Sequence, residues 1–234
     1  MSWHGPERAA KMHIMEKAVV ALVLVAVLAG VVLSHVDEPA FRHGYVEEDG
    51  LIEWGTVLAL LFAALVCCRR FLLLRRRRPV LFLAATALLG ALFVFGAGEE
   101  ISWGQRMLGF ESPSWFMEHN VQRDTNIHNL KIGGVKINKL VFSHLLGAMI
   151  VAYVLLLPIL YRWNPTASRL ISAFAIPVPR ARHAVFIVAT ILLVYGAVRS
   201  SKRGELAEFG LSWMVALCVA FPANAKDFRV NAGG

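Results

Sequence analysis

Charge is scarce in this chain of 234 residues. Asp, Glu, Lys and Arg make up 17% of it, against about 25% in a soluble domain, which argues against an ordinary water-soluble fold. Cysteine is scarcer still. Cys67, Cys68 and Cys218 are the whole complement, with no CxxC or metal spacing, so they read as small apolar fillers rather than a disulfide framework. There is no Ser/Gly linker, no low-complexity tract and no sign of a second soluble domain. There is also no HExxH, no ExxH pair and no GxSxG, which removes the familiar metalloprotease, di-iron and hydrolase signatures.

What is present is apolar, 57% of the residues, and it comes in blocks. Segments 18–36, 51–68, 80–98 and 140–161 each approach the ~20 residues that a helix needs to cross a bilayer. Segments 184–198 and 206–222 are shorter or carry acids, and complete a set of six. The expectation is an all-α, polytopic helical membrane protein, one integral domain over 1–234, with an ordered outer loop at 99–139. The first block exceeds the ~7–15 residues of a signal h-region and lacks an A-x-A cleavage site, so it reads as a retained helix.

Basic residues set the orientation. Arg69, Arg70 and Arg75 to Arg78 flank the connection after the second block, which places it inside, with the N-terminus cytoplasmic. Of the 16 acids only Glu7, Glu16 and Asp227 then fall inside. The net charge of +8 is thereby explained by anchoring to anionic lipid headgroups, and no nucleic-acid partner is implied. Segment 162–183 has apolar residues placed to lie along the membrane surface before Pro177 and Pro179 end any helix.

Acids mark the outer boundary of the spans. Glu53, Glu205 and Glu208 sit at helix N-termini, where the dipole favours a carboxylate by about 0.3–1 kcal/mol. Glu99 and Glu100 sit at a helix C-terminus, where the dipole opposes them, and they repel each other. Such a pair needs a cation, a metal or a shared proton, and Arg106, just beyond Gly104, is the nearest cation. The outer side also carries His35, His43, His119, His128 and His144. An ionisable group such as His144, one turn into the fourth span, is a functional candidate by default.

The loop is unlike a plain connector. Ser112 reads as an N-cap with Pro113 at the first helical position, and Trp115, Phe116 and Met117 as residues that dip into the interface. "NIHNL" precedes a Gly-Gly turn. The candidate catalytic residues are Glu99, Glu100, His128 and Arg106. Trp103, Gln105, Asn126 and Asn129 are candidate substrate-binding residues. Glu100, His119, His128 and His144 are candidate ligands for a divalent metal, the one cofactor considered. Glu53 and Glu208 are secondary, and share a faint echo, "LIEWG" against "LAEFG".

"GEEISWGQRMLGFESP" followed by "NIHNL" resembles the signature of a group of uncharacterised bacterial polytopic membrane proteins, over roughly residues 96–130. The resemblance implies a bacterial inner membrane and a site in this loop, and no reaction. Three functions are expected to compete. The first is an enzyme, a hydrolase or transferase, acting at the outer face on a lipid or lipid-linked substrate. The second is an assembly subunit that grips a protein partner through loop 99–139, with Trp103, Trp115 and Phe116 as anchors. The third is a proton- or cation-coupled transporter component, against which no acid or base lies at the centre of a span.

Overall fold

The structure is a computed structural model that describes residues 11–127, 129–132, 135–136 and 146–229. It is helical: α1 (Ile14–Val36), α2 (Glu38–Ala40), α3 (Leu51–Leu74), α4 (Val80–Glu100), α5 (Gln105–Leu108), α6 (Ser114–His119), α7 (Leu146–Val151), α8 (Leu157–Trp163), α9 (Pro165–Ala173), α10 (Ala181–Ala197) and α11 (Arg203–Ala220). A π-helical turn, Ala152–Leu156, joins α7 to α8. The two-residue strands β1 (Lys131–Ile132) and β2 (Val135–Lys136) pair antiparallel in the loop that follows α4.

Local chemistry fixes the helix ends. His13 opens α1 with a capping box: its Nδ1 accepts the Met15 N–H, and Glu16 accepts the His13 N–H at 2.8 Å. Asp37 ends α1 and starts α2, accepting the Ala40 N–H at 2.9 Å. The last two long helices start and stop a few residues earlier than the hydropathy blocks. Polar first turns, Ala181 to His183 and Arg203 to Glu205, belong to the helices although they are not apolar.

α3 packs on α4 and α11, and α11 packs on α10 and α1. The α3–α11 contact is close because Gly55 has no side chain: a Cβ there would stand 2.4 Å from the Phe209 ring. The apolar core between α1, α10 and α11 includes Val23, Val27, Ile187, Val194, Leu206 and Met214. Only 17% of the apolar window of α4 is buried within the protein. For a helix of that hydropathy, the remaining surface calls for an apolar surrounding.

The helices share two ends. At one, α1 finishes, α3 begins, α4 finishes and α11 begins. Ser34 Oγ there accepts the Arg199 N–H at 3.2 Å, and Ser200 Oγ donates to Glu38 at 3.0 Å. At the other, Arg182 of α10 forks onto Glu16 of α1 at 2.8–3.0 Å, and Arg70 of α3 donates to the Ala220 carbonyl. Acids therefore collect at one end and arginines at the other.

By length and composition, three helices among the described residues are fit to cross a membrane: α1, α3 and α4. They become four if the bent pair 148–163 and α9, at 116°, counts as one. α10 has 17 residues, and α11 carries Arg203, Glu205 and Glu208 in its first two turns. Residues 140–145 of the fourth apolar block lie outside the described residues.

Candidate functional site

The helix α4 runs to Glu100 and then breaks sharply. Ser102, Trp103 and Gly104 have φ of 47°, 56° and 76°, three left-handed residues in a row. For Ser and Trp that conformation costs roughly 1–2 kcal/mol each, so specific contacts must hold it. Ser102, with no exposed surface, donates through Oγ to Asp124 Oδ2 at 3.0 Å and accepts from Asn126 Nδ2 at 2.8 Å. Trp103 folds back over its own helix onto Gly98, where a Cβ would meet the indole at 2.8 Å. Its Nε1 donates to Glu99 Oε1 at 2.9 Å, and its ring meets Phe95 edge-on at 5.6 Å.

Each later residue of the motif also fastens the loop. Gln105 Oε1 accepts from the Thr125 N–H at 2.7 Å and from Ser112 Oγ at 3.0 Å. Ser112 is therefore not the cap of α6: that helix starts at Ser114 after Pro113, with no side-chain cap. The hydroxyl of Ser112 turns inward, to Gln105 and Thr125. Within the loop, Asn120 Nδ2 donates to the Asn126 carbonyl and to its Oδ1, both at 2.9 Å. Asn126 Oδ1 in turn accepts the Asn129 N–H at 3.1 Å. Asn120 and Asn126 are buried, so these bonds cannot be exchanged for water without cost.

Arg106 is the electrostatic hub, but not for the acids that the sequence suggested. Its guanidinium lies 2.6 Å from Asp49, 2.9 Å from Asp124, 3.3 Å from Glu53 and 3.6 Å from Glu48. These are acids of the connection between α1 and α3, of α3 itself and of the loop after α4, rather than Glu99 or Glu100. Burial works against its charge, and Asp49, Glu53 and Asp124 outweigh burial, so its pKa is held above the ordinary value. Glu53 both caps and joins: it accepts the Asp49 N–H at the start of α3, and Arg106 on its other oxygen.

Glu99 and Glu100 have opposite fates. Glu99 is buried, 6% exposed, and accepts from Trp103 and from the Ile127 N–H at 2.6 Å. Those donors offset the unfavourable helix end. Glu100 is half-buried and, among the described residues, has no hydrogen-bond or ion-pair partner. It lies within electrostatic reach of Glu205, Glu53 and Glu99, and Glu208 within reach of Glu100, Glu205 and Glu53. Glu53, Glu99, Glu100 and Glu205 line one cavity of about 60 Å³ together with Arg106, Ser102 and Asn126, which is space for a few waters or one small polar group.

Of the expected site residues, Glu99, Glu100, Arg106, Asn126, Asn129 and Glu53 reach this cavity. Gln105 and Trp103 serve the loop instead. His119 does not line the cavity: its ring stacks on Trp115 at 4.7 Å, and Nδ1 donates to the Trp115 carbonyl at 2.8 Å. His128 and His144 lie outside the described residues. Among the described residues no three His, Cys, Asp or Glu side chains converge closely enough to hold a metal ion. Residues that sequence reasoning missed are Asp124, Asp49 and Ser102. Ser102 joins Asp124 across 22 positions, and no spacing rule connects them.

Compared with known proteins, the chain matches no family model, no curated protein and no solved structure.

Proposed function

We propose that the chain is a multi-pass membrane enzyme that uses the carboxylate pocket for acid–base chemistry, by hydrolysis or group transfer, on a lipid or lipid-linked substrate. The observation that carries this reading is the contrast between the two adjacent glutamates. Glu99 and the motif residues after it hold the loop in place, whereas Glu100 is held by nothing among the described residues and faces the cavity. A carboxyl group kept free beside other carboxylates, at the edge of an apolar bundle, suits proton transfer. The acid lining favours a neutral or cationic group on the substrate over a phosphate.

The same reading includes six crossings, a cytoplasmic N-terminus, a bacterial inner membrane and the bacterial group that the loop motif resembles. α10 and α11 connect the same two ends as α3. With 17 and 18 residues, they extend about 26 Å, near the ~30 Å of a hydrocarbon core.

Comparative lipid analysis tests the proposal. Cells deleted for the gene, and cells carrying Glu100→Gln, should accumulate the same lipid or lipid-linked species, absent from cells with the wild-type protein. Identical lipid profiles in all three would contradict it. A second reading, an assembly subunit, is favoured by the exposure of Trp115, 47%, and Leu108, 76%, on the outer loop. It predicts a protein that co-purifies with the wild type and is lost on Trp115→Ala with no change in lipids.

A further inference from the structure

At the arginine end, α9 leaves α8 at 116°, turned sharply away from the direction of α8. Asn164 caps it, accepting the N–H groups of Thr166 and Ala167 at 3.0 Å, with Pro165 in the first turn. Its rotation about its own axis is also set. Ile171 is buried against the protein, and Ser172 Oγ donates to Asp227 Oδ2 at 2.8 Å. At 100° per residue, Leu170 and Phe174 fall on one flank of Ile171, one turn apart, and both are exposed; Arg169 falls on the far side. Trp163, just before α9, is 76% exposed. Helices divided in this way lie in the interface plane of a membrane.

Charge identifies what covers this face. Leu74, Phe82 and Ala175 form one small core cluster, which sets the end of α9 beside the connection between α3 and α4. That connection contains Arg75 to Arg78, of which Arg75, Arg76 and Arg77 are exposed, as are Arg69, Arg162 and Arg169. The described acids of this end are engaged: Glu16 by Arg182 and His183, and Asp227 by Ser172 and Asn224. A positive rim around exposed Trp163, Leu170 and Phe174 complements phosphate headgroups above acyl chains.

We propose that α9 lies in the membrane interface with Leu170 and Phe174 among the acyl chains, and that Arg75, Arg76 and Arg169 hold anionic phospholipid at this end. The proposal requires membrane insertion and is independent of the chemistry at the carboxylate end.

The test reconstitutes the full chain in nanodiscs of phosphatidylcholine with a minority of phosphatidylglycerol, extracts it, and measures retained lipid by mass spectrometry. Phosphatidylglycerol should be enriched over the disc composition, and Arg75→Gln, Arg76→Gln and Arg169→Gln should each lower the enrichment, about fivefold per arginine. Retained lipid of bulk composition, or a triple variant that retains as much, would overturn it. Displacement of the lipid by inorganic phosphate would also overturn it, placing free anions at the arginines. A nitroxide on Leu170→Cys, in a Cys68→Ser background, should collide with oxygen more often than one on Arg169→Cys. Equal water access at both would remove α9 from the interface.

Discussion

The indole of Trp103 donates a 2.9 Å hydrogen bond to Glu99, four residues earlier, at the end of the same helix. A left-handed reversal at Ser102–Gly104 makes that contact, and it converts a carboxylate at an unfavourable helix terminus into a fastening for the loop after α4. Trp103→Phe keeps an aromatic ring on the loop and removes the donor, together with part of the ring contact on Gly98. Hydrogen bonds to charged groups contribute about 1.5–3 kcal/mol, so the variant should melt at a lower temperature and the loop after α4 should be cut faster when protease is added to the purified protein. An unchanged melt and cleavage rate would show that the bond is not a fastening.

Ser102 permits a finer comparison. Ser102→Ala and Ser102→Gly both lose the bonds to Asp124 and Asn126, but only alanine retains the left-handed strain. Alanine should therefore be the worse of the two by about 1 kcal/mol, read as a difference in melting temperature. Equal melts would mean that the turn relaxes when the hydroxyl is lost.

Removing the hub cation has a signed pH dependence. In Arg106→Gln, Asp49, Glu53 and Asp124 crowd without compensation, and protonation relieves the repulsion. The folded state then binds protons more readily than the unfolded state, so the stability of the variant should rise as pH falls through the carboxylate range. The wild type, in which Arg106 offsets part of that repulsion, should gain less over the same range. Parallel melts of the two proteins across a pH series check this, and parallel curves would contradict it.

At the opposite end, Glu16 is 1% exposed and is bonded to Arg182 and to His183 Nε2 at 2.9 Å. Breaking a buried pair from one side typically costs about 3–5 kcal/mol. Arg182→Met should therefore be strongly destabilising, and Glu16→Gln with Arg182→Met less so than the two single losses added together. Strict additivity of the melting shifts would refute the coupling.

The long apolar helices were legible because composition alone specifies them: α1, α3 and α4 follow the blocks at 18–36, 51–68 and 80–98. The placement of Glu99 and Glu100 at a helix C-terminus was legible for the same reason. The division of labour between them was not. Two identical adjacent letters acquire different roles only after Trp103 and Ile127 take Glu99, and that depends on a reversal through Ser and Trp, residues with no left-handed preference. The partners of Arg106 were hidden likewise. Asp49 and Asp124 lie in different connections, and only the docking of α3 against α4 brings them to one guanidinium. Ser112 misled because the sequence pattern of a helix cap also suits a hydroxyl that ties two loop segments together.

The contrast between the two glutamates is the centre of this account, and paired substitutions test it most directly. Glu99→Gln and Glu100→Gln are each expressed in a strain deleted for the gene, with complementation and the melting temperature of the purified protein measured for both. The account predicts that Glu100→Gln fails to complement yet melts like the wild type, whereas Glu99→Gln melts lower. Full complementation by Glu100→Gln, or a melt as depressed as that of Glu99→Gln, would contradict it.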